Sequence, residues 1–125
     1  LADLVEPKDA PNSPIIEALA RLGQDPAFDR NVPERRIVLV SDMLQNSEVF
    51  TVYRRRLGSL ENRVPEPAIV ADAIRETYGD SLRGVRLDIR LIPRGQWEAE
   101  QHGELMDYWD AVFDMLGVQA SWNAL

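Results

Sequence analysis

The chain has 125 residues, of which 45 % are hydrophobic, so it is long enough for one domain with a buried core, and disorder throughout is excluded. Its 14 basic and 21 acidic residues give a formal net charge of −7, the wrong sign for nucleic acid or an anionic membrane surface, and this directs attention to protein partners or cations. The absence of cysteine removes disulfides, thiolate metal sites and thiol catalysis together, and no apolar run approaches the ~18–20 residues that membrane insertion requires.

In chain order, residues 1–12 place Pro7 and Pro11 among small and charged residues and read as a linker or arm, with the domain occupying 13–125. The first residue is Leu1 rather than Met, which points to further chain upstream. Ser13-Pro14 offers an N-cap and a first-turn proline. Ile15, Ile16, Leu19, Ala20 and Leu22 follow at helical spacing, so a helix is predicted over 14–23, closed by Gly23. Residues 24–33 contain Asp25-Pro26 and Val32-Pro33 and turn the chain toward a strand.

That strand, 36–41, carries Ile37, Val38, Leu39 and Val40 without interruption. Four successive aliphatics leave neither face suited to water, so it is expected to be a central strand covered on both sides. It delivers Ser41 and Asp42 to the carboxyl edge of the sheet, where α/β proteins bind ligands. Beyond it, 49–53 fits either a short helix or an extended piece, and Arg54, Arg55 and Arg56 read as a solvated end or an anion contact. Pro67 opens a second helix, 67–78, expected to cover one face of the sheet and to stop at Gly79.

Residues 85–92 alternate apolar and polar side chains, the pattern of a second strand parallel to the first and less enclosed than it. Leu105, Trp109, Val112, Phe113 and Leu116 then define one long helix over 98–116, its carboxylates spread over the solvated side. Trp122 in the tail is expected to pack back on the domain. Together these elements predict an α/β domain of three layers, α/β/α, with a mainly parallel sheet.

No catalytic constellation emerges. His102, the single histidine, has no nucleophile or metal-ligand spacing around it, and the seven glycines are scattered rather than gathered into a phosphate loop.

The order Ser13-Pro14-Ile15-Ile16-Glu17-Ala18-Leu19, then Arg36-Ile37-Val38-Leu39-Val40-Ser41-Asp42, then Gly84-Val85-Arg86-Leu87-Asp88-Ile89 resembles the C-terminal half of a von Willebrand factor A-like domain, a Rossmann-like fold. The resemblance implies a protein-interaction or scaffolding module rather than an enzyme. It also implies that Ser13 and Asp42 correspond to ligands of a metal-ion-dependent adhesion site, which holds Mg²⁺ in that family. The family's first strand, with its Asp-x-Ser-x-Ser loop, has no counterpart here, and Met43 stands where the family has glycine. Ser13 and Asp42 alone fall short of the octahedral oxygen set that Mg²⁺ requires.

Two further expectations follow. One is an alternative function, an α/β enzyme or small-ligand domain whose catalytic half lies upstream of Leu1. The other is homo-oligomerisation, because a strand apolar on both faces needs neighbours that two strands cannot supply. A cytoplasmic location is the default reading.

Overall fold

A computed structural model of the chain describes residues 12–28, 34–53 and 58–124. The arm before residue 12, part of the 24–33 turn and the Arg54-Arg55-Arg56 run lie outside the described residues. Three parallel strands, β1 (Arg36–Ser41), β2 (Arg86–Leu91) and β3 (Gln119–Ala124), form one sheet in the order β1-β2-β3. Four helices accompany them: α1 (Ile15–Gly23), α2 (Pro67–Tyr78), α3 (Glu98–Gln101) and α4 (Glu104–Leu116).

The helices 14–23 and 67–78 and the strands 36–41 and 85–92 lie where the sequence places them. Gly23 ends α1 for a steric reason: a Cβ there would stand 2.6 Å from the Ser81 carbonyl oxygen, so only glycine lets α1 approach that turn. The 98–116 helix is broken by a turn at His102-Gly103 into α3 and α4. The segment 49–53 is not a helix: it bends at Val49 and Val52, carries one antiparallel bridge from Thr51 to Asn46, and buries Phe50 and Val52 in the core.

Two expectations about the sheet are corrected. The tail is a strand: β3 pairs with β2 along six residues, from Arg86 opposite Gln119 to Leu91 opposite Ala124. Trp122 lies on it, packs against the core and donates from Nε1 to Asp110 at 2.7 Å. The central strand is therefore β2, while β1, expected to be central, pairs with β2 alone among the described residues.

The layering follows from this order. Strands that advance one place at a time through right-handed crossovers put every crossover helix on the same face. α2 packs against both α1 and α4 on that face, over Ile37, Leu87, Ile89 and Leu91. The opposite face carries Arg36, Val38 and Val40 of β1, then Arg86, Asp88 and Arg90 of β2 in register with them. Val38 and Val40 remain 55 % and 53 % exposed, so β1 is covered on one side only. The second helical layer required by a three-layer sandwich is not among the described residues.

Buried polar side chains tie the loops to this frame. Arg35, just before β1, is buried and donates to the carbonyls of Phe28, Ser81 and Arg83. Arg63 is likewise buried, paired with Glu100 on α3 and donating to the Val52 carbonyl at 2.6 Å.

Candidate functional site

At the carboxyl end of β1 the chain makes two consecutive side-chain-to-backbone turns. Ser41 Oγ accepts from the Met43 amide at 2.9 Å, and Asp42 Oδ1 accepts from the Leu44 amide at 2.9 Å. Between them Met43 takes a left-handed conformation, φ 61°. A non-glycine residue pays about 1–2 kcal/mol there. Burial offsets this, because the Met43 side chain is fully enclosed and its carbonyl accepts from Trp109 Nε1 at 3.0 Å.

The structure brings Ser13 and Asp42 to neighbouring loops but engages each with a different partner. Ser13 forms an antiparallel bridge with Asn46 through both backbone groups, at 2.9 and 3.1 Å. It is not the N-cap that its position suggests, since α1 begins without a side-chain cap from its own segment. The cap comes instead from Gln45, 29 residues away, whose Oε1 accepts from the Ile16 amide at 3.1 Å. The Gln45 amide group donates to Glu17 and to Ser47, each at 2.7 Å, which accounts for a glutamine with no exposed surface.

Asp42 faces the other way. Its Oδ2 accepts from Arg94 Nε at 2.9 Å, and its side chain is 22 % exposed against 54 % for Arg94. Tyr53 stands close enough for its phenol to respond to this pair. Its pKa is raised first by burial and further by the Asp42 charge, with Arg94 opposing, and its ring meets that of Trp97 edge-on at 5.2 Å.

Gln101 closes the same end of the sheet. Fully buried, it donates from Nε2 to the carbonyls of Asp42 and Ile92, both at 2.8 Å, and accepts at Oε1 from the Arg94 amide at 3.0 Å. It thereby locks the ends of β1 and β2 together.

As a cation site this arrangement offers one carboxylate, already held by a guanidinium and a backbone amide. No group of three or more His, Asp or Glu residues with metal-holding geometry occurs among the described residues. That donor set does not fit Mg²⁺. His102 sits exposed in the turn after α3. Sequence reading missed Arg94, Gln101 and Gln45. For Arg94 a signal was present: in a parallel sheet the ends of adjacent strands coincide, so a residue two past Ile92 arrives beside Asp42.

A second feature lies along the outer edge of β1. The carbonyls of Arg35 and Ser41 accept from Arg86 and Ile92 across the β1–β2 ladder. Successive residues alternate direction, so the N–H and C=O groups of Arg36, Val38 and Val40 point outward. A groove of about 410 Å³ runs between this edge and α1, lined by Pro14, Ala18, Leu22, Val38 and Val40 among others.

On the open face, Asp88 accepts from Asn123 at 2.9 Å, Arg90 at 3.0 Å and Arg36 at 3.3 Å. These contacts, Arg90 foremost, hold its carboxyl below the ordinary carboxylate range against the opposing effect of partial desolvation.

Compared with protein-family models, curated proteins and solved structures, the chain gives no match.

Proposed function

We propose that this chain is a non-enzymatic protein-interaction module, built as the C-terminal half of a von Willebrand factor A-like, Rossmann-like domain, and that its binding element is the outer edge of β1, with which no other strand among the described residues pairs. The observation that carries the reading is the edge itself. It is a six-residue strand with outward backbone groups at Arg36, Val38 and Val40, two half-exposed valines and an apolar groove alongside. Edges of this kind accept an added strand, with main-chain hydrogen bonds supplying affinity and alternate side chains supplying selectivity.

The family part of the reading is supported by Met43. Its left-handed backbone is the conformation that favours glycine, and glycine is what the family has at that position. The uncovered face of the sheet is where the second helical layer of an α/β/α sandwich would lie. Ser13 and Asp42 are, in this reading, the remnant of a metal-ion-dependent adhesion site.

Selection of extended peptides from a displayed library on the immobilised chain tests the proposal. Binders are expected whose affinity is lost in Val38→Pro, which removes an outward N–H without touching the β1–β2 ladder. Affinity is expected to persist in Ile69→Lys, which alters another exposed apolar residue, on α2. Binders indifferent to Val38→Pro refute the edge as the binding element, as does a monomeric chain that yields no binders.

A further inference from the structure

We infer that the partner β1 accepts is a second copy of this chain. Two outer β1 edges pair antiparallel about a two-fold axis, with Val38 opposite the partner's Val38, joining two three-stranded sheets into one of six. The inference rests on the reading that the β1 edge is the binding element, and it names the occupant.

The first argument is backbone complementarity. The outward groups belong to Arg36, Val38 and Val40, spaced by two residues and centred on Val38. In antiparallel pairing, residues whose groups face the partner oppose one another. Centring on Val38 sets Arg36 against the partner's Val40 and Val40 against the partner's Arg36. Every outward N–H and C=O of the strand then finds a mate, and the edge is its own complement, as a two-fold interface demands.

Charge selects the same register. Arg36 opposes an uncharged valine and keeps its contact to Asp88 of its own sheet, so no like charges meet across the junction. Slipping toward the amino end brings the two Arg36 residues together, and slipping toward the carboxyl end runs past Ser41, where β1 stops. Within 37–40 there is no proline, bulge or charge, the devices by which natural edge strands resist pairing.

Apolar surface gathers at the same line. A two-fold axis normal to the sheet puts both helical layers on one face, so α1 lies beside the partner's α1. Leu22, 39 % exposed, and Ala18 then meet across the junction, with Val38 against the partner's Val38 on the other face.

Sedimentation equilibrium over micromolar to submillimolar concentrations, combined with residue-resolved amide hydrogen exchange, tests the inference on the full chain. A species at twice the 14.2 kDa chain mass is expected. Protection of the Arg36, Val38 and Val40 amides should rise with concentration, while Ile37 and Leu39, bonded to β2, stay protected throughout. Val38→Lys sets like charges face to face across the axis and should weaken the dimer roughly tenfold or more. Val38→Pro, acting on the backbone alone, should do the same, and Ile69→Lys should not.

A chain that stays at 14.2 kDa with unprotected edge amides overturns the inference, as does a dimer indifferent to both Val38 variants. If such a monomer still captures extended peptides through Val38, the interaction reading stands and only the self-pairing fails. If neither occurs, both fail.

Discussion

Replacing Gln101 by leucine should be among the most damaging single changes at the carboxyl end of the sheet, although residue 101 belongs to a four-residue helix. The side chain is fully buried and makes three hydrogen bonds to backbone: two donated to the carbonyls of Asp42 and Ile92, and one accepted from the Arg94 amide. Leucine fills a similar volume but answers none of these groups. A fully buried polar group deprived of a partner costs about 1–3 kcal/mol; these three bonds are part-buried, so the low end applies and together they cost at most about 3 kcal/mol. Against a typical domain stability of about 5–15 kcal/mol this is a large fraction. For a chain of this size it corresponds to a fall in melting temperature of roughly 10 °C. Urea and thermal unfolding followed by circular dichroism measure it, with His102→Ala, an exposed neighbour, as the control that should be neutral. Gln101→Glu adds a signature that simple loss of packing would not produce. A carboxylate there faces two carbonyl oxygens, so its pKa rises in the folded state, and its stability relative to the parent chain worsens as pH climbs from about 4 to about 8. If Gln101→Leu stays within about 0.5 kcal/mol of the parent, the range of ordinary surface substitutions, the lock between β1 and β2 is not made by this side chain.

Three other outcomes follow from the described contacts. Asp42→Ala breaks one half-exposed ion pair and one turn hydrogen bond, so it should cost about 1 kcal/mol or less by thermal melting. Calorimetric titration of Mg²⁺ should show no saturable site, and a tight site abolished by Ser13→Ala would refute the donor-set argument. Asp88 has a folded pKa below its unfolded value, so its contribution is present above the ordinary carboxylate range and is lost as pH falls through the lowered value. The stability gap between the parent and Asp88→Asn should therefore narrow below about pH 4, and a gap that widens in acid would contradict the assigned contacts to Arg90, Asn123 and Arg36.

What the sequence determined by itself was local. Ser13-Pro14 and the spacing up to Gly23, Pro67 and the spacing up to Gly79, the apolar run within 36–41 and the alternation over 85–92 each carry their signal within a dozen residues. Breakers and periodicity act there before any tertiary contact forms. The third strand was not legible, because Gln-Ala-Ser-Trp-Asn-Ala has little β-propensity of its own and becomes extended by completing the edge of β2. Only the tertiary structure decided that the most apolar strand lies at an edge. A run of four aliphatics states that a strand can be buried on both sides, but which sides are covered is set by the order of strands and the hand of their crossovers. The same holds at the carboxyl end. Asp42 was legible as a strand-end carboxylate, whereas its pairing with Arg94, 52 residues away, the reach of Gln45 to the start of α1 and the clasp of Gln101 depend on chain segments that meet only after the sheet has assembled.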